Sequence, residues 1–209
     1  MDSTDAADLI AELHEDRAEA EEAEKFRNRA ALMIALLAAV LAIGGLGGGN
    51  ATDDMIFNNI RASDTWAFYQ AKNMRQTLYE VAADTLEAEI AAAGGTPTPA
   101  QAARLAEYRA TIARYESEPD AEAPDDPVRG EGKRELRAQA ESYEAARDRA
   151  SDQDGNFDMA EVLLQLALVL GSVAILAVNR PILILAGLLG LAGALLTANG
   201  FLLLVPLPV

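Results

Sequence analysis

Residues 30–48, 162–178 and 182–205 form three apolar runs without a single Asp, Glu, Lys or Arg. None shows the polar alternation of a half-buried strand. Each approaches or exceeds the roughly 17–25 residues an α-helix needs to cross a hydrocarbon core about 30 Å thick. Backbone in lipid must satisfy its own hydrogen bonds, which leaves helices and closed barrels, and these runs are far too long for barrel strands. The pattern predicts an integral membrane protein with three transmembrane helices at 30–48, 159–178 and 182–205.

The polar segments are patterned too. Residues 1–29 read as an acidic N-terminal helix, with Leu9, Ile10 and Leu13 as a short apolar stripe and Glu21 four residues before Lys25. Five glycines at Gly44, Gly45, Gly47, Gly48 and Gly49 follow the first run and predict a hinge or break there. From residue 53 to 92, Ile60, Ala67, Ala71, Met74, Leu78, Val81, Thr85 and Ala88 mark one helical stripe. Its alternating three-and-four spacing is that of a coiled-coil seam, which Asp64 interrupts.

Gly94 and Gly95 end this element, and Pro97 and Pro99 open the next. Leu105, Tyr108, Ile112 and Tyr115 repeat the spacing. An acidic Pro/Gly stretch at 119–130 breaks it, and Leu136, Ala140 and Tyr143 resume it. One long helix going out and two shorter ones returning close the segment 49–158 as an antiparallel, coiled-coil-like helical hairpin. The fold class is therefore all-α. A two-helix hairpin whose seam is Ala and Tyr buries little, so it calls for other copies of itself or another membrane protein to pack against. The second and third runs are separated by Asn179, Arg180 and Pro181, which forces an antiparallel membrane pair. Small residues recur along the third, with Ala186, Gly190 and Ala194 at small-xxx-small spacing and Gly193 beside them, a pattern that lets helices associate closely in lipid.

Charge refines this picture. The net −16 divides into −6 over residues 1–29 and −10 over residues 49–158, with Glu161 and Arg180 cancelling. An acidic exterior argues against nucleic acid and against anionic lipid headgroups, both of which reward Lys and Arg, and suits solubility, cationic partners or a high-salt setting. Lys25, Arg27 and Arg29 precede the first run and Arg180 lies between the second and third, so the positive-inside rule places the N-terminus in the cytoplasm and residues 49–158 outside. The acidic flank before the first run is wrong for a cleavable signal peptide, so that run reads as a retained anchor. The absence of cysteine removes disulfides and thiolate chemistry.

Two segments carry a family resemblance, DTWAFYQAKNMRQTLYE at 64–80 and FDMAEVLLQLALVLGSVAIL at 157–176. They resemble a family of bacterial membrane proteins known as domain of unknown function 4337, and the order of parts is similar over most of the chain. The resemblance implies a bacterial cytoplasmic membrane and this helical architecture, and it implies no activity.

Candidate chemistry is sparse. Glu161 and Gln165 stand four apart on one face of the second span and read either as a pore or polar membrane site or, with Asp158, as a capping box at a helix start. Trp66, Tyr69, Lys72 and Arg75 form an aromatic and basic cluster suited to a partner or to internal packing. DQDGNFD at 152–158 fails the calcium-loop pattern, because Gly155 is fourth instead of sixth and Leu163 stands where Glu belongs, so it reads as a turn entering the membrane. His14 stands alone, and the glycines lack the Lys-Ser/Thr sequel of a phosphate loop. No catalytic residue, cofactor, metal or small-molecule substrate is predicted. The interaction residues are Trp66, Tyr69, Ala71, Met74, Leu78, Val81, Gly190 and Gly193, serving self-association, a membrane partner and membrane lipid.

Overall fold

A computed structural model describes residues 3–206, with side chains from Leu13 onward except Glu15. The expected stripe residues Leu9 and Ile10 lie outside the described side chains. The described residues form four helices and no strand: α1 Ser3–Ala92, α2 Pro99–Glu116, α3 Lys133–Ala177 and α4 Arg180–Leu202. Three of them, α1, α3 and α4, are long and apolar enough to cross a membrane. The chain divides into two compact units. The first joins the segments ending at Thr52 and beginning at Ser151, and the second is Asp53–Ala150.

In the first unit small residues and a few single large ones, Leu37, Phe157 and Leu164, are buried, while many large apolar residues face outward. Ala30, Ala160, Ala167, Ala174 and Ala186 are buried, while Leu36, Leu46, Val169, Leu176 and Leu188 are exposed. The glycines are seats for single side chains of neighbouring helices. A Cβ on Gly190 would lie 2.5 Å from Leu37 Cδ1, one on Gly193 2.7 Å from Leu164 Cγ, and one on Gly171 2.9 Å from Ile34 Cγ1. Phe157 of α3 is wedged among Gly47, Gly48 and Gly200, where added Cβ atoms would approach its side chain to 2.6, 3.2 and 2.7 Å. Its ring meets Phe201 edge-on at 4.9 Å. One turn of polar contacts accompanies it: Thr52 Oγ1 donates to Asp154 Oδ1 at 2.7 Å, and Asn199 Nδ2 donates to the buried Asn156 Oδ1 at 2.7 Å.

Two sequence expectations are corrected here. The five glycines do not break α1, which runs through them as helix. Gly47 and Gly48 are small because Phe157 occupies the space a side chain would need. Gly45 and Gly49 face open space, and packing does not explain them. DQDGNFD is likewise no turn, since α3 continues through it and buries Asn156 and Phe157. The turn residues have become packing residues.

In the second unit α1 ends as expected. Gly94 and Gly95 take positive φ, and the Gly95 N–H donates to Ile90 O at 2.9 Å, closing a Schellman-type cap. Thr98 caps α2 through a capping box with Gln101, with Pro99 in the first turn. Contacts along α1 ascend as those on α2 and α3 descend: Trp66 meets Glu144, Gln76 meets Ile112 and Glu87 meets Arg109. The 119–130 stretch is pinched at its base by the Glu131 N–H to Glu118 O bond, 2.9 Å, and by Arg129 against Asp120, 2.7 Å.

Because Gly190 faces Leu37 of the same chain, its replacement by Leu overfills an internal seat, at a cost of roughly 1–3 kcal/mol. The expected outcome for Gly190→Leu is a lower thermal unfolding midpoint of the detergent-solubilised chain by circular dichroism; an unchanged midpoint would contradict this packing.

Candidate interaction surface

The part of α1 within Asp53–Ala150 carries two stripes that advance by heptads. Ala62, Tyr69, Gln76, Ala83 and Ile90 form one, joined by Lys72 and Tyr79. Ile60, Ala67, Met74, Val81 and Ala88 form the other, joined by Ala71 and Leu78. A two-residue offset is a rotation of about 200°, so the stripes point in nearly opposite directions. The first packs within the chain.

That covered face is polar and aromatic. Trp66 Nε1 donates to Glu144 Oε1 at 2.9 Å, and its ring meets Tyr69 edge-on at 5.5 Å. Lys72 is 5% exposed, with Nζ 3.5 Å from Glu118 and 3.8 Å from Glu131 and the Phe68 and Tyr115 rings beside it. Gln76 Nε2 donates to Ile112 O and Glu116 Oε2, and Tyr79 packs against Tyr108 and Tyr115. The bond from Gln76, together with Lys133 nearby, holds the Glu116 carboxyl below the usual range despite partial burial. Trp66, Tyr69 and Lys72 are thus engaged inside the chain, and only Arg75 of the expected cluster is exposed.

Glu135 ties the end of α2 to the start of α3. It accepts from Ser117 Oγ at 2.6 Å and from the Glu118 N–H at 3.1 Å. Burial alone would raise its carboxyl pKa, but these bonds, with Arg134 nearby, outweigh it and hold the carboxyl below its ordinary value.

The second stripe is the seam read from the sequence, and it faces away from the rest of the unit. Met74 is 70% exposed, Leu78 66%, Val81 57% and Ile60 53%, and Ala67 and Ala71 are exposed between them. The stripe therefore does not close the hairpin; it lies outside, with the expected interaction residues Ala71, Met74, Leu78 and Val81 exposed, and the mixed stripe holds the unit together. Sequence reading missed the covered stripe because Lys72 and Gln76 interrupt its hydrophobicity. The heptad of Tyr and Ala around them was the available signal.

In the first unit, Gly190 and Gly193 are filled by Leu37 and Leu164 of the same chain, so they are not the free association face expected of them. Glu161 and Gln165 are both exposed on α3, and Gln165 Nε2 donates to Glu161 Oε1 at 2.7 Å. The capping-box reading of Asp158 and Glu161 is excluded, because α3 begins at Lys133 and no helix start lies near them. Thr197 bonds back to Gly193 O within α4, and His14 is exposed. Among the described residues no cluster of three His, Asp or Glu side chains is placed to hold a metal.

Residues 26–203 match the family described as Domain of unknown function (DUF4337). The chain belongs to that family. The match takes in the Phe157 seat, both stripes of α1, and all of α2, α3 and α4. No curated protein and no solved structure matches the chain.

A glutamate held below its ordinary pKa stabilises the fold above that value, and the contribution is lost as pH falls through the folded one. Trp66 is the only tryptophan and lies in Asp53–Ala150, so its fluorescence reports that unit. Urea unfolding followed by Trp66 should show stability falling as pH drops below 4.5, the ordinary glutamate value. Glu135→Gln should be less stable at pH 7 and show a shallower acid loss; an identical pH profile would remove Glu135 from this role.

Proposed function

We propose that this chain is a non-enzymatic membrane protein that self-associates, or scaffolds other membrane proteins, through the outward stripe of α1. The observation that carries the proposal is the exposure of a regular seam, Met74, Leu78 and Val81 with Ala67 and Ala71, on a helix whose opposite face is already packed. A second copy is the occupant that fits. Copies inserted in one membrane share an orientation, so a seam meets itself in parallel, and three-and-four spacing is self-complementary in that arrangement. The alanines allow close approach.

The proposed anchor is three crossing helices. Their support is length, apolarity and the many large apolar side chains, among them Leu36, Leu46, Val169, Leu176 and Leu188, that the first unit leaves exposed. Residues 53–150 then form an extramembrane helical hairpin. Lys25, Arg27, Arg29 and Arg180 favour a cytoplasmic N-terminus and a hairpin outside a bacterial cytoplasmic membrane. The test is Met74→Glu with Leu78→Glu in full-length protein, with subunit number read by native mass spectrometry from nanodiscs. Both positions are exposed, so helix content should hold while the assembly falls to monomers; intact oligomers would sink the stripe as the contact.

A second reading rests on Glu161 and Gln165. An exposed carboxylate amid Met159, Val162 and Leu166 calls for water or a polar partner, and symmetric copies would supply both around a cation-selective pore. In planar bilayers Glu161→Gln should then reduce cation selectivity, and unaltered conductance would dismiss the pair as pore residues.

A further inference from the structure

We infer that the groove between α1 and the start of α4 holds an anionic phospholipid, with its phosphate on Lys25, Arg29 and Arg180. The groove has a volume of about 540 Å³ and draws these three bases from two helices. Glu22 is its one carboxylate, so the lining carries a net charge of +2 in a chain whose total is −16. A local reversal of sign selects a negatively charged headgroup over a zwitterionic one. The N-terminal end of α4 adds to it, since the helix dipole presents its positive end there.

The present partners of these bases are weak. Arg180 Nη2 lies 3.3 Å from Glu22, with both side chains nearly three-quarters exposed, and Lys25 lies 3.9 Å from Glu21 at 70% exposure on each side. Exposed pairs of this kind contribute little stability, so a phosphate can displace them. Phe26, Leu183 and Ile184 complete the groove with apolar surface. A free phosphate ion would leave that surface unused, whereas the glycerol and acyl portions of a lipid would cover it. The source is therefore a lipid of the leaflet on the N-terminal side.

The inference rests on the reading that α1, α3 and α4 cross a membrane, and alkaline carbonate extraction of native membranes tests that separately. Chain released by carbonate defeats the membrane reading itself. With the chain retained, full-length protein is placed in nanodiscs of three parts phosphatidylcholine to one part phosphatidylglycerol, and the lipids it keeps are counted by native mass spectrometry. Phosphatidylglycerol should be enriched over its bulk share. Arg29→Gln with Arg180→Gln should cut its retention roughly 10–30-fold, as expected from removing two interfacial bases. Glu22→Gln should raise retention, because it removes the competing carboxylate; a general structural disturbance would lower it. Unchanged retention in the double variant, lowered retention in Glu22→Gln, or displacement of the lipid by millimolar inorganic phosphate would each overturn the assignment.

Discussion

The seating of Phe157 among Gly47, Gly48 and Gly200 is the contact on which the first unit depends. A phenyl ring admitted between three helices requires that two of them lack Cβ atoms where it lies, and the sequence of α1 and α4 meets that requirement. The same logic recurs down the bundle with Ile34 on Gly171, Leu37 on Gly190 and Leu164 on Gly193. Large side chains point singly into gaps cut by glycine, and the remaining large residues are left on the outside. Such packing works through van der Waals fit and close backbone approach, the terms that still operate where lipid removes the hydrophobic drive between helices.

The second unit is held differently. Its packed face buries a lysine and a glutamine and half-buries several tyrosines, and no buried side-chain polar atom among the described residues lacks a partner. A polar interface of this kind contributes less energy than leucine would, but it fixes which residues face each other, since a shifted register would strand Lys72 or Gln76. The apolar stripe has no such partner among the described residues. One helix thereby presents a face that recognises its own chain by polar pairing and another that is featureless and hydrophobic.

How far the sequence was legible follows from this division. The three apolar runs, the cap at Gly94 and Gly95 and the start of α2 at Thr98 were readable because each depends on local chemistry. The uninterrupted course of α1 was not, because glycine signals a break only while nothing packs against it, and the packing residue lies far along the chain. DQDGNFD misled for the mirror reason: its Asp, Gly and Asn suit a turn locally, yet Thr52 and Asn199 take up Asp154 and Asn156 and draw the segment into helix. The 60–88 seam was readable as a pattern and its residues as an interaction surface, but not the second stripe that holds the unit together in its place. Periodicity locates a face, and only tertiary contacts say which way that face looks. For the site residues, Glu161 and Gln165 were placed on one face correctly, while the absence of a nearby helix start was beyond local reading.

The glycine seat also bears on how the chain is made. In water each glycine costs a helix roughly 1 kcal/mol relative to alanine, and α1 carries five within six residues. That part of α1 leaves the ribosome roughly a hundred residues before Phe157 does, an interval on the order of 5–20 s at ordinary rates of synthesis. For that time the segment has an empty notch and no ring to fill it. On the proposed reading that α1 crosses a membrane, lipid keeps the helix intact meanwhile, by giving its backbone no alternative partner. Biogenesis of this fold is therefore a problem of waiting, in which the first helix must hold its shape until the third arrives.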